Sequence, residues 1–328
     1  MTEIWRDDAP GERRAALFEH GEIVEIYIQR DLHRVLGQCG SGLVDRKVPS
    51  GTYLACDDGG ELLVRGKTAR PDGSRICFEV TREAICEPGR CKPAEARLLD
   101  DMIDAPSKDD LWERLLGGLG YEQRNSNIAS ALDIAMAGAS TVGDVTVSFQ
   151  RTKVGLVFDV DGVGDPLAVN LAAAREIARL LRLYQVGGMA MVDFVAVASK
   201  DARQKIADAF DEAAAADPRD FERSAVNGFG LMQVVRARPR PSVLDQLFGT
   251  RIASLSDETL ALGLLREAAS SSGFGPRVIT AKTAIANLLA SNDWGRFRET
   301  CERQTGASLA VVADDAVSGY GHVHVAQS

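Results

Sequence analysis

The chain has 328 residues, more than one hydrophobic core usually organises, and its 45% hydrophobic content is enough to fill two or more domains. A net charge of −9 excludes broad electrostatic attachment to nucleic acid or anionic membranes, so any nucleic-acid chemistry must gather its basic residues locally. No apolar run reaches the roughly 20 residues of a spanning helix, and the opening MTEIWRDDAPGERR is too charged for a signal peptide, so a cytoplasmic protein is expected.

In chain order, residues 15–30 (AALFEHGEIVEIYIQR) alternate around an HGE turn and predict a hairpin. Residues 34–85 hold short strand-like pieces (TYLA, ELLVRG, SRICFEVT) between Gly, Asp and Pro turns, the rhythm of a small barrel. The six cysteines form no CxxC pair; Cys86 and Cys91 with Cys77 read either as a metal knuckle or, preferably, as ordinary reduced thiols. A polar, proline-bearing passage from Glu87 to Lys108 marks a boundary. Helices are expected over Lys108–Leu116 and Ser126–Ala139, followed by a strand, VTVSFQ, at Val145–Gln150.

The most informative stretch runs from Gly155 to Val197. GLVFDVDG (Gly155–Gly162) reads as a strand ending in carboxylates. From Leu167 to Tyr184, Leu171, Ala174, Ile177, Ala178 and Leu181 fall at helical spacing, and Gly187-Gly188 stops the helix before a second strand, MAMVDFVAV. A strand, helix, strand unit of this length makes a parallel pair, which brings Asp159 and Asp193 to the same edge. Asp193 is the one charge in nine apolar residues, so it is expected to be buried and to need a partner or a cation. Asp161 shares the face of Asp159, and three converging carboxylates would suit Mg²⁺ or Mn²⁺. The structural alternative is that Asp159 and Asp161 cap the next helix and Asp193 pairs with an arginine.

Beyond this unit, Asp201–Ala216 is an alanine-rich helix, and GFGLMQVVRARPRP is a strand turning basic at Arg236, Arg238 and Arg240. On one strand face these would grip a phosphate backbone, or else form a solvated basic edge. The tail reads as a small α/β domain: helix Asp257–Ser270, strand PRVITA, helices Ala281–Ala290 and Trp294–Thr305, and strands SLAVVA and HVHVA. His322 and His324 share a face of the last strand but lack a third ligand nearby.

VFDVDGVGD resembles the first motif of haloacid-dehalogenase-type phosphohydrolases; that likeness implies an Asp159 nucleophile, with Lys282 and Asp314-Asp315 in the later roles. A longer likeness covers about two hundred residues. NLAAAREIARLLRLYQVGGMAMVDFV and GFGLMQVVRARPRPS resemble the signature elements of the ribonuclease E/G family, with further similarity back through Ser126 to Asp161 and forward to GHVHV. The resemblance implies an α/β (α+β) multidomain protein: RNase H-like segments at 1–33 and 95–150, a reduced OB-type barrel at 34–94, a DNase I-like catalytic subdomain at 151–245 and a small α/β C-terminal domain at 251–328. It implies one Mg²⁺ held by Asp159 and Asp193, with Asp161 where the family usually has Asn, a change that could tighten the metal or recruit a second. Asn170 is expected to hydrogen-bond an active-site carboxylate or to serve the helix start, and Tyr53 and Phe78 are the barrel aromatics able to stack on bases. The family's CPxC zinc link is replaced by SVLDQLFGTRIASLS, so any homo-oligomer would lack it, and the shortened middle implies loss of the 5′-monophosphate sensor. The implied function is a Mg²⁺-dependent endoribonuclease acting on single-stranded RNA, with a phosphatase or an inactive RNA-binding module as alternatives.

Overall fold

A computed structural model describes residues 2–66, 68–100, 106–117, 122–125 and 128–326. Three antiparallel strands open the chain: β1 (Thr2–Ala9), β2 (Glu12–Glu19) and β3 (Glu22–Arg30). His20 and Gly21, both at positive φ, make the tight turn between β2 and β3 that suits the right-handed twist of a hairpin. A five-stranded closed barrel follows, from β4 (Cys39–Val48), β5 (Gly51–Cys56), β6 (Glu61–Arg65) and β7 (Arg75–Arg82). After a short hairpin, β8 (Ile85–Glu87) with β9 (Arg90–Lys92), strand β10 (Ala94–Leu99) closes it against β6 and β7. Val44, Leu54, Leu62, Val64, Phe78 and Val80 fill its interior.

The chain then returns to the first sheet. In α1 (Lys108–Gly117), Trp112 and Leu116 pack on Ile4, Ala15 and Leu17, and β11 (Glu122–Asn125) lies parallel to β1. The helix expected over Ser126–Ala139 is shorter: Ser126 lies outside the described residues, a 3₁₀ turn at Ala129–Leu132 leads into α2 (Asp133–Ala137), and Gly138 at φ +68° ends it. The central sheet contains β12 (Ala139–Val142), β13 (Val145–Arg151) and β14 (Leu156–Gly162). Helix α3 (Pro166–Leu183) crosses to β15 (Gly188–Asp193), then α4 (Lys200–Ala214) precedes β16 (Phe221–Arg223) and β17 (Leu231–Arg236). The strand order is β12-β13-β14-β15-β17-β16, and only the β14–β15 pair is parallel.

The short helix α5 (Val243–Phe248) carries a Ser242/Asp245 capping box. The last unit has α6 (Asp257–Ser270), β18 (Arg277–Ala281), α7 (Thr283–Ala290), α8 (Gly295–Thr305), β19 (Leu309–Ala313) and β20 (Gly321–Val325), with sheet order β19-β18-β20 and a core of its own. Among the described residues, no helix is long and apolar enough to cross a membrane.

Two sequence expectations change here. Cys86 and Cys91 face each other in the β8–β9 register and form a disulfide, so they are neither free thiols nor a metal knuckle. Phe78 is buried in the barrel and closed to a base, and one face of the Tyr53 ring is covered by the Arg46 guanidinium at 4.0 Å.

Buried charges tie the units together. Glu12, 1% exposed, accepts from Arg14 at 2.6 Å and Arg30 at 2.9 Å, with Arg266 of α6 at 3.4 Å. Burial alone would raise the Glu12 carboxyl, but Arg14, Arg30 and Arg266 hold it down at about 2, against an ordinary 4.5. A depressed carboxyl stabilises the fold above its unfolded value and loses that contribution as pH falls through the folded value. Between about pH 4.5 and about pH 2 the wild type should therefore lose about 3 kcal/mol of stability, about 2 kcal/mol of it by pH 3, that Glu12→Gln, already weakened, does not. Urea unfolding of both proteins at about pH 7 and about pH 3 measures the difference.

Candidate active site

The apolar stripe of α3 buries Val169, Ala173, Ala174, Ile177, Leu180 and Leu181. These join Phe158, Val160, Ala190, Val192, Met232 and Val234 in one core, so α3 covers a single face of the six-stranded sheet. Since side chains alternate along a strand, the intervening residues point to the opposite face: Val157, Asp159 and Asp161 on β14, Met189, Met191 and Asp193 on β15, and Leu231, Gln233 and Val235 on β17. All six of the β14 and β15 residues are partly or fully exposed.

On that open face Asp159 is the direct register partner of Asp193, flanked by Ser148 of β13 and Leu231 of β17. Neighbouring strands lie about 4.8 Å apart. The two carboxylates therefore stand side by side. Among the described residues, no ion pair or hydrogen bond is made by either of them, and like charges at matched positions disfavour the sheet. The burial expected for Asp193 is not observed, because it ends its strand on the solvent face. Asp161 lies one alternation beyond the end of the β14–β15 ladder and meets Thr146 of β13 instead. Among the described residues no three His, Cys, Asp or Glu side chains gather as a metal-binding group, so the expected convergence of three carboxylates reduces to a pair. Two adjacent hard oxygen donors without a protein counter-charge fit a divalent cation that completes its shell with water and phosphate oxygens.

Asn170 is fully buried, and both ends of its amide are used. Nδ2 donates to the Val195 carbonyl at 2.6 Å, and Oδ1 accepts from the Val195 amide at 3.0 Å. It contacts no carboxylate and offers nothing to RNA. Its side chain acts as one more strand residue that fixes the chain two positions past Asp193.

The basic strand is also redirected. Arg236 is 5% exposed and donates to the carbonyls of Leu181 and Val186 and to Asp217, locking the end of α3 to β17. Strand β17 ends there. Arg238 bridges Glu87 at 2.7 Å and Asp245 at 2.9 Å, and Arg240 pairs with Glu83 at 2.9 Å. All three expected phosphate grips are held by carboxylates of the protein. Arg151 makes a fourth such anchor, binding Asp245 and the carbonyls of Cys86, Gly249 and Arg251. Alternation could flag these side chains, but the sequence does not reveal that two of their acidic partners, Glu83 and Glu87, lie some hundred and fifty positions upstream.

The phosphatase constellation is not assembled. Asp315 caps α7, accepting from the Thr283 amide and hydroxyl at 2.9 Å each, and Lys282 sits at the start of that helix, just after β18, which belongs to a different sheet from Asp159. His322 and His324 stack on each other at 5.9 Å. A cleft of about 910 Å³ is lined by Arg30, His33, Arg34, Cys86, Cys91 and Glu258 and excludes the aspartate pair.

Residues 165–239, from the α3 cap through Asp193 to Arg238, match the profile of the Ribonuclease E/G family. Over these residues the chain is similar to the ribonuclease E/G family. It is 27% identical over 222 residues to Ribonuclease E of Escherichia coli (strain K12), covering 65% of this chain and 19% of that protein. It is 40% identical over 77 residues to a chloroplastic Ribonuclease E/G-like protein of Arabidopsis thaliana, covering 24% and 8%. Against Ribonuclease G of Escherichia coli (strain K12) it is 34% identical over 77 residues, covering 23% and 15%. The chain thus spans less than a fifth of each of these relatives.

Two outcomes follow from the site's electrostatics. Without divalent metal, Asp159→Asn should raise stability by about 0.5 kcal/mol by removing like-charge repulsion. Added Mg²⁺ should then stabilise the wild type and not the variant, read as melting temperatures with and without chelator. Asn170→Ala leaves the Val195 amide and carbonyl without their partner and should cost about 2 kcal/mol in urea unfolding.

Proposed function

We propose that this chain is a metal-dependent endoribonuclease that cuts single-stranded RNA by water attack on a phosphodiester, leaving a 5′-phosphate and a 3′-hydroxyl. The observation that carries the reading is the register match of Asp159 with Asp193, two unpaired carboxylates on a bare sheet face, in a chain similar to the ribonuclease E/G family over residues 165–239. Mg²⁺ or Mn²⁺ is the proposed cofactor and Asp159 and Asp193 are its proposed ligands. A divalent ion there would sharpen a water nucleophile and offset charge building on the phosphorane.

The protein's own contribution is positional. The α3 core fixes the two strands, Asn170 clamps the exit of β15 at Val195, and the open face admits a polymer where a closed pocket would not. Asp161, beyond the pair, adds negative charge at the margin and is proposed to act through solvent or substrate. The domain reading belongs to the same proposal: a DNase I-like subdomain over 151–245, RNase H-like segments at 1–33 and 95–150, a reduced OB-type barrel at 34–94 and the small unit at 251–328.

Cleavage of a fluorescent single-stranded RNA in Mg²⁺, with and without chelator, tests the reading. Asp193→Asn should slow cleavage about a thousandfold, the equivalent of about 4 kcal/mol of charge stabilisation. Equal rates for variant and wild type would remove the nuclease assignment, and RNA binding without cutting by the wild type would leave a binding module.

A further inference from the structure

A large aromatic side chain stands in solvent beside the aspartate pair. Phe229 is 83% exposed, in the turn that leads from β16 into β17. It lies two residues before Leu231, the register partner of Asp193. Two residues of chain and one interstrand step keep its Cα within about 12 Å of that of Asp193.

The turn is built to hold this position. Asn227 Oδ1 accepts from the amides of Phe229 at 2.9 Å and Leu231 at 3.1 Å, and the Asn227 amide donates to the Leu231 carbonyl at 3.0 Å. The Gly230 amide donates back to the Asn227 carbonyl at 3.2 Å, and the Gly230 carbonyl accepts from the amide of Phe194, the residue after Asp193, at 3.1 Å. Gly230 has φ +90°, and a Cβ there would meet the Phe194 carbonyl oxygen at 2.4 Å, so close approach to the Asp193 strand requires glycine. The backbone is thus bonded to the end of β15 while the phenyl ring is left in water. Exposing a ring of this size forgoes its burial energy, which a ligand with a flat apolar face would recover.

We infer that Phe229 is a stacking platform for an unpaired nucleobase next to the phosphodiester at Asp159 and Asp193, an inference that rests on the nuclease reading above. Base-on-aromatic stacking is tolerant of sequence. It also supplies affinity without a cationic groove, which suits a chain whose candidate arginine grips are all engaged internally. Double-stranded RNA keeps its bases stacked on one another and could not use the ring, so Phe229 would select single strands.

The test uses the full chain and a fluorescein-labelled adenosine oligoribonucleotide, with Asp193→Asn as the background for binding. Phe229→Ala should weaken binding about tenfold, and Phe229→Tyr should restore it. Phe274→Ala, which removes another fully exposed ring between α6 and β18, should leave binding unchanged. Phe229→Trp supplies a direct readout against the wild type, whose Trp112 and Trp294 are buried and whose Trp5 is half-buried against Phe18: oligonucleotide should quench the variant's emission beyond any change in the wild type, and an oligonucleotide abasic throughout should not. RNA that is bound or cut with no change in the emission of the Phe229→Trp protein, or Phe229→Ala binding at wild-type strength, would overturn the stacking role and leave the nuclease standing. Wild-type protein that neither binds nor cuts RNA would overturn both.

Discussion

The parallel register of β14 against β15 is the constraint on which the rest depends. It is set by α3, whose buried stripe must lie across both strands, and by Gly187 and Gly188, which let the chain turn back tightly against the Ala237–Arg238 segment. A slip of one residue would turn every side chain to the other face, placing Asp159 in the α3 core and Phe158 in water. The hydrophobic effect therefore decides which face holds the carboxylates, and the ladder decides that they stand level. Asn170 extends the same control past the end of the strand.

Arginine serves this protein mainly from within. Arg236 ties α3 to β17, Arg238 and Arg151 join the β8–β9 hairpin to α5 through Glu87 and Asp245, and Arg30 and Arg266 gather around Glu12. Each guanidinium offers several donors in a plane and reaches partners on separate segments at once. Burial pulls the Arg151 guanidinium down and Asp245 opposes it, while the Glu87 carboxyl, which burial would raise, is held at about 2 by Lys92, Arg90 and Arg238. In these circuits each guanidinium meets its counter-charge inside the protein. The acidic net charge thus coexists with a basic-looking strand whose charge is spent internally.

The strands and helices with clear periodicity were legible in the sequence. The α3 stripe, the Gly187-Gly188 stop, the His20-Gly21 turn and the tail from Asp257 to Ser270 onward all reflect local burial patterns or local turn chemistry. The level placement of Asp159 and Asp193 followed from the crossover alone. The failures share one cause, since each depends on a partner distant in the chain. Asp193 looked buried because its neighbours are apolar, yet alternation leaves it on the open side. Arg236, Arg238 and Arg240 looked free because Asp217, Glu87, Asp245 and Glu83 could not be assigned to them from spacing. Phe78 looked available until barrel closure enclosed it, and Asn170 could be placed on its helix but not against Val195.

A sheet with one bare face must guard its rims. Each outermost strand of the central sheet is short, four residues in β12 and three in β16, so little unpaired backbone is offered to a passing chain. The surface can stay uncovered for a long flexible polymer without inviting copies of the protein to add strands at its borders. Lengthening β16 would be expected to erode solubility before it touched the chemistry.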